Sequence, residues 1–299
     1  MSPPHQKPSA ASSEDDSVDR YVVIGNPIAH SRSPEIQLAF AAQTGERLRY
    51  ERLLAPLGAF PSTVRFFRSE GGLGANITVP FKLEAYDLAT QLTQRASLAG
   101  AVNTLKFHGK DAIVGDNTDG VGLVRDLDRL EVTLRGARVL LLGGGGSARG
   151  VIGPILDEVP ESLTLANRTI DKIEQLAELF GGRAIVPEAV SYKALKGRSF
   201  DVVINATSAS LNNESLPMPE GLFAQTTLVY DMMYSAAPTR FLRDAAEQGA
   251  RRLADGLGML VEQAAESFYI WRGVRPDTAP VHFRLRAELR AELQAAAPA

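Results

Sequence analysis

The sequence predicts an α/β protein made of two units, each a sheet covered by helices. Three observations carry that expectation. Short β-rich runs alternate with helical patterns along nearly the whole chain. An apolar run over 139–142 leads straight into the glycine turn Gly143-Gly144-Gly145-Gly146. The length of 299 residues suits about two domains.

The elements follow in order. A buried strand is expected over 21–24, with a turn at Gly25-Asn26-Pro27. Ser33-Pro34-Glu35 reads as an N-cap followed by proline at N1, and Ile36, Leu38, Ala39, Phe40 and Ala42 carry a helix to Gly45. A strand is expected over 75–79, and Pro80 opens the next helix. Residues 101–107 and 112–114 form a hairpin around His108-Gly109-Lys110. The polar loop 115–119 precedes a helix from Gly120 to Leu130. The second unit begins at Arg138, with strands over 139–142, 162–166, 201–205 and 228–231 and helices over 148–156 and 170–180. A last helix over 257–272 carries Leu260, Val261, Ala264, Ala265, Phe268 and Ile270. These residues leave open where the units divide near Gly120 and to which unit the final helices belong.

Composition removes several classes of function. Hydrophobic residues make up 44% and charged residues 22%, ordinary for a globular chain. A net charge of -3 and a pI near 5.9 provide no basic field for nucleic acid or an anionic membrane. The absence of cysteine excludes disulfides, thiolate metal sites and a cysteine nucleophile. The histidines, His5, His30, His108 and His282, contain no i, i+4 pair, so no metal site is expected. Residues 1–19 are rich in Ser, Pro and acids without an apolar run, and read as a disordered tail rather than a targeting signal. No run is long and apolar enough to span a bilayer, so a cytoplasmic location is expected.

Gly143-x-Gly145-x-x-Ala148 stands where the dinucleotide fingerprint belongs, after a strand and opening a helix. The first glycine makes the tight turn, the second lets the backbone approach a pyrophosphate, and the small third residue permits helix–strand packing. The free N–H groups of the helix end then hold phosphate. The alternative is a merely tight strand–helix turn. The next strand ends at Asn167-Arg168-Thr169, with Lys172 one turn further on. An NAD enzyme places an acid there for the ribose hydroxyls, whereas cations and a hydroxyl suit the 2′-phosphate of NADP. A solvated arginine and a threonine cap are the competing explanation.

Further residues are candidates for a site. Ser31 and Ser33 suit a carboxylate beside a helix N-terminus, although Ser33 is equally a helix cap. Lys82, expected near N3 of its helix, opposes the helix dipole at a cost of roughly 0.3–1 kcal/mol, which marks it as reactive or as a snorkelling surface lysine. Asp116, Asn117, Thr118 and Asp119 precede another helix that needs one cap, leaving one acid for chemistry. Asp255-Gly256-Leu257-Gly258-Met259 is a second glycine-rich loop, and Gln263 behind it requires a polar partner if buried.

Taken together, these blocks resemble the shikimate dehydrogenases. The resemblance rests on Gly25-Asn26-Pro27 with His30-Ser31-Arg32-Ser33-Pro34, and on Asn76-Ile77-Thr78-Val79-Pro80-Phe81-Lys82. It extends through Gly100-Ala101-Val102-Asn103-Thr104, Gly115-Asp116-Asn117-Thr118-Asp119-Gly120, Asn205-Ala206-Thr207-Ser208 and Ala254-Asp255-Gly256-Leu257-Gly258-Met259-Leu260. It implies a substrate domain from 20–118 and 256–299, with a Rossmann-like NADP domain, 119–255, inserted between them. It implies that Lys82 and Asp119 are catalytic, and that Ser31, Ser33, Thr78, Asn103, Asp119, Tyr234 and Gln263 bind substrate. Cofactor binding falls to Gly143, Gly144, Gly145, Gly146, Ser147, Ala148, Asn167, Arg168, Thr169, Lys172, Thr207, Met232 and Gly256, with no metal. The implied reaction is the reversible NADPH-dependent reduction of 3-dehydroshikimate to shikimate, by a monomer or homodimer. Quinate/shikimate dehydrogenases with relaxed cofactor use, and a non-catalytic NADP-responsive paralogue, are the alternatives. The sequence departs from the family pattern at Gly144 and Ser147, where alanines are common, and at Lys172, where a second arginine often stands. It also departs at Ala209-Ser210, where no role is assigned.

Overall fold

The computed structural model describes residues 18–109 and 111–296. Residues 1–17 of the expected tail, and Lys110 of the expected hairpin turn, lie outside the described residues. The first half of the chain runs β1 (Asp19–Gly25), α1 (Ser33–Thr44), β2 (Leu48–Leu54), α2 (Phe60–Ser69) and β3 (Gly72–Ile77). It continues with α3 (Lys82–Leu88), β4 (Gln91–Leu92), α4 (Gln94–Ala99), β5 (Thr104–His108) and β6 (Ala112–Asp116). These strands form one mixed sheet in the order β2-β1-β3-β5-β6-β4, and β5 and β6 make the expected hairpin. Along β1, Tyr21 and Val23 enter one core cluster while Val22 and Ile24 enter another, so both faces of the sheet are covered.

After α5 (Asp119–Arg129) comes the second sheet, built from β7 (Arg138–Leu142), α6 (Gly146–Asp157), β8 (Ser162–Ala166), α7 (Ile170–Glu178) and β9 (Glu188–Val190). It is completed by β10 (Val202–Asn205), β11 (Leu228–Asp231), α8 (Arg240–Glu247) and β12 (Leu253–Asp255). All six strands are parallel, in the order β12-β11-β10-β7-β8-β9. This is the doubly wound arrangement whose order reverses between β7 and β10, where a crevice opens at the strand ends. Val139 and Leu141 of β7 enter one core cluster and Leu140 and Leu142 the other, which explains the unbroken apolar run.

The chain then returns through α9 (Leu257–Arg272) and α10 (Ala279–Ala296), which pack into the core of the first sheet through Phe268, Trp271, Val281 and Leu285. Where the two sheets join, α5 and α9 lie along each other. A side chain at Gly122 of α5 would stand 2.8 Å from the Gln263 amide, so glycine is what lets these helices approach. No helix among the described residues is long and apolar enough to cross a membrane.

Four details differ from expectation. The first strand begins at Asp19, whose carboxylate pairs with Arg272, so this residue belongs to the fold and not to a tail. Ser33 is the first residue of α1 rather than its cap, since Arg32 occupies the cap position without a side-chain cap bond. Lys82 stands at the first position of α3, not the third, because Pro80 and Phe81 belong to the preceding turn. The third strand ends at Ile77, although the Thr78 amide still donates to the Ile24 carbonyl of β1 at 2.9 Å.

Helices α4, α5 and α9 are also held by charge. Glu266 of α9 accepts from Arg275 at 2.7 Å, Arg125 at 2.9 Å and Arg95 at 3.1 Å. Burial alone pushes its carboxyl up, and the arginines outweigh that, bringing it from 4.5 to about 2. A depressed carboxylate stabilises the fold above its unfolded value, and that contribution disappears as pH falls through the folded one. Glu266→Gln should therefore lower the melting temperature at pH 7, by a loss on the order of 1–3 kcal/mol. In a thermal melt series the gap to the parent protein should narrow as the pH falls from 4.5 toward 2.

Candidate active site

The C-terminal ends of both sheets face each other, and there the candidate residues collect. Lys82 Nζ donates to Asp119 Oδ2 at 2.5 Å and to Ser147 Oγ at 3.3 Å. The Lys82 side chain is 12% exposed and that of Asp119 6%. This contact joins the two halves of the fold, since Lys82 starts α3, Asp119 starts α5, and Ser147 lies in the first turn of α6. A side chain at Gly146 would lie 3.3 Å from Lys82 Cβ, so the lysine stem runs along the glycine turn.

Asp119 is held from its other side. Asn103 Nδ2 donates to Asp119 Oδ1 at 2.8 Å, and the Asp119 amide donates to Asn117 Oδ1 at 3.1 Å. Asp116 is occupied by a two-pronged contact from Arg95, at 2.6 and 2.9 Å, and by the Thr93 hydroxyl at 2.7 Å. Asp119 is the acid that faces the lysine. Gln263 has the partners its position demands, its Oε1 accepting from Asn103 and from Thr118 at 3.3 Å each.

Ser31 and Ser33 form a second group. Ser31 Oγ donates to Ser33 Oγ at 3.1 Å, and the Ser33 amide donates to Ser31 Oγ at 3.3 Å. Freed from capping, the Ser33 hydroxyl is available to this group, in a residue that is 5% exposed. Tyr234 borders the same segment, and burial pushes its phenol up while the Arg32 guanidinium and backbone pull it back. Thr78, half-buried, follows β3 and lies against Gly25.

The glycine turn has the form a pyrophosphate requires. Gly143 takes φ +117°, a region that L side chains rarely adopt, and a side chain there would press on the Ala206 backbone at 3.1 Å. Helix α6 begins without a side-chain cap, and the space beside Gly145 is open, since a Cβ added there would meet no atom within 4 Å. Its free N–H groups and positive end therefore suit an anion. Ala148 is fully buried under the turn. Gly144 lies beside Asn167 and Lys172, linking the turn to the end of β8, where Asn167 Nδ2 donates to the Thr169 carbonyl at 3.1 Å. Arg168 and Lys172 are exposed, with Arg168 near enough to Tyr192 to act on its phenol. Thr207 donates to Asn205 Oδ1 at 2.7 Å next to Gly143. The Met232 carbonyl touches Gly256 so closely that a side chain there would meet it at 2.1 Å.

Sequence reasoning misses the buried polar chain behind the site, formed by Tyr50, Asn76, Thr104 and Ser267. It also misses a role for Ser210, whose hydroxyl donates to buried Asp231 at 2.6 Å. The signal is a polar residue on an otherwise apolar strand, Asn76 on β3 and Asp231 on β11, readable only once the buried faces are known. No group of acids and histidines among the described residues could hold a metal ion.

Sheet order and site together define a dinucleotide-binding α/β protein with an ammonium–carboxylate pair at its seam. Residues 23–105 match the shikimate dehydrogenase substrate binding domain, 127–216 match shikimate/quinate 5-dehydrogenase, and 256–282 match the shikimate 5'-dehydrogenase C-terminal domain. A protein of Nitrosospira multiformis named shikimate dehydrogenase (NADP(+)) is 57% identical over 272 residues, 91% of this chain and 98% of its own. The Ael1 enzyme from Pseudomonas putida superposes with a TM-score of 0.83 at 49% identity, over 89% of this chain and 98% of that one. Shikimate 5-dehydrogenase from Thermus thermophilus, solved with NADP(H) and shikimate, gives 0.79 at 30% identity, over 90% and 99%. The chain belongs to the shikimate dehydrogenase family.

Replacement of Lys82 by Met should lower kcat by about 10²–10⁴, the usual loss of a general acid, with a smaller change in KM. Because Asp119 then keeps a buried carboxylate with one partner fewer, stability should fall by roughly 1–3 kcal/mol, more than relief of the helix dipole returns. Thermal melts should show Lys82→Met/Asp119→Asn recovering stability but not turnover.

Proposed function

We propose that the protein is an NADP-dependent shikimate dehydrogenase, reducing 3-dehydroshikimate to shikimate reversibly between a substrate domain (20–118 and 256–299) and an NADP domain (119–255). The observation that carries this reading is the Lys82–Asp119 pair, joined by Ser147 from the glycine turn, with the Asn103–Gln263 group on one side and Ser31 and Ser33 on the same sheet edge.

The residues present fit the dinucleotide. Residues 143–148 would hold the pyrophosphate at the uncapped start of α6, and Asn167, Arg168, Thr169 and Lys172 the 2′-phosphate of the ribose. Thr207, Met232 and Gly256 line the approach toward the seam. When bound, NADPH supplies a hydride to the ring ketone carbon.

The chain's own residues do the rest. Lys82 Nζ gives a proton to the ketone oxygen as negative charge develops there. Asp119, fixed by Asn103 and Asn117, aims the ammonium and accepts from a ring hydroxyl. Asn103, Thr78 and Gln263 bind the remaining hydroxyls, Ser31 and Ser33 hold the carboxylate, and Tyr234 closes that side. In the oxidative direction the same lysine takes the proton from the hydroxyl.

Cofactor reduction followed by absorbance, with shikimate or quinate and NADP or NAD side by side, tests the reading. Fastest turnover with shikimate and NADP is expected, and no turnover of shikimate with either cofactor would refute it. Arg168→Ala should raise KM for NADP about tenfold or more, the loss of one hydrogen bond to a charged group, and leave that for NAD nearly unchanged. Equal losses with both cofactors would refute the 2′-phosphate assignment.

A further inference from the structure

One buried carboxylate, Asp231, holds together the chain segments that border the crevice of the second sheet. Asn205 ends β10 and Asp231 ends β11, and the two are partners on adjacent parallel strands. Both are fully buried. Asp231 Oδ1 accepts from Asn205 Nδ2 and from the Met233 amide, at 3.1 Å each. Its Oδ2 accepts from the Ser210 and Thr239 hydroxyls, at 2.6 Å each.

A carboxylate has about four acceptor positions, and these bonds occupy them. Asp231 therefore has no oxygen left for substrate or cofactor and acts through the segments it holds. Burial pushes its carboxyl up, and the four donors pull it back. Removing one donor leaves a charged oxygen short of a partner where water does not reach.

The segments are those proposed to line the approach to the seam. On the β10 side, Asn205 Oδ1 accepts from the Thr207 amide at 3.0 Å and from its hydroxyl at 2.7 Å. The Thr207 hydroxyl in turn accepts from the Ala209 amide at 3.3 Å, at the start of the short 3₁₀ turn Ala209–Asn212 that carries Ser210. With its hydroxyl held twice, Thr207 turns its methyl toward Gly143, where an added Cβ would stand 3.3 Å from it. On the β11 side, the Met232 amide donates to the Asn205 carbonyl at 2.9 Å, and the Gly256 amide to the Met233 carbonyl at 3.0 Å. Thr239 caps α8, accepting from the Leu242 amide at 3.3 Å. Ser210 falls where the sequence departs from the family pattern, and its bond to Asp231 is what that departure supplies.

We propose that Asp231 and Ser210 are positioning residues that hold the Thr207 and Met232 segments against the nicotinamide end of the cofactor. The proposal rests on the reading of this crevice as the NADP site. It divides the work along the dinucleotide, with Arg168 and Lys172 acting on the 2′-phosphate and Asp231 and Ser210 on the opposite end.

Ser210→Ala removes the hydroxyl and keeps the backbone. Calorimetry should show NADP binding weakened roughly three- to tenfold, the worth of one net hydrogen bond. Adenosine 2′,5′-bisphosphate, which carries the 2′-phosphate and no nicotinamide, should bind within about twofold of the parent. The KM for shikimate at saturating NADP should also stay within about twofold. Asp231→Asn, which turns one accepting oxygen into a donor, should show the same selectivity with a larger loss. Unchanged NADP binding in either variant overturns the proposal, as does an equal loss with the bisphosphate in Ser210→Ala, the mark of a general distortion. If the parent protein binds neither NADP nor the bisphosphate, the cofactor reading falls as well, and that result is distinguishable from failure at Asp231 and Ser210 alone.

Discussion

An ammonium and a carboxylate 2.5 Å apart, both mostly hidden from water, constrain everything around them. Such a pair gains strength from partial burial but holds only if the remaining hydrogen-bonding capacity of both groups is used. Asp119 meets that demand through Asn103 and its own amide through Asn117, while Lys82 reaches Ser147 with a further hydrogen. Lys82, Asn103 and Asp119 all lie at strand ends of the first sheet and Ser147 at one of the second, so the pair stands on the first sheet while its contact with Ser147 depends on the relation of the two.

That relation is maintained by the helices that cross between the sheets. Glycine at 122 brings α5 against α9, and the arginines around Glu266 fasten α4, α5 and the chain beyond α9 to one carboxylate. Between them runs the buried polar line from Asp119 to Tyr50. Apolar packing fills both faces of each sheet, but it is non-directional, and the directional contacts are what place the Lys82 ammonium. Gly256, pressed on the Met232 carbonyl, brings the returning chain beside the second sheet's strand ends, so the route from one unit to the other also borders the proposed cofactor site.

Much of this is legible in the amino-acid sequence alone. The strands over 162–166 and 228–231 and the helix over 257–272 agree to the residue, because apolar runs with clear breakers leave little choice. Strand β2 escapes notice because it lies at the sheet edge, where only Leu48 and Tyr50 are buried among charged residues. Helix α10 escapes because it exposes Phe283 and Leu293 and so lacks a clean apolar stripe. Asp116 and Asp119 cannot be told apart locally, since Arg95, which occupies Asp116, lies 21 positions away. Ser33 looks like a cap because serine before proline has that form, but the helix begins one residue earlier than the pattern implies. For the buried polar groups, a partner distant in sequence decides.

The most direct test of the account is chemical rescue at the seam. Lys82→Ala removes the ammonium and leaves room beside Asp119, so added primary amines should restore part of the lost shikimate oxidation in a saturable way. The restored rate should follow the basicity of amines of similar size, as proton transfer at the reacting oxygen requires. Rescue that ignores amine basicity, or wild-type turnover in Lys82→Ala without any amine, would contradict the assignment of Lys82 as the group that moves the proton.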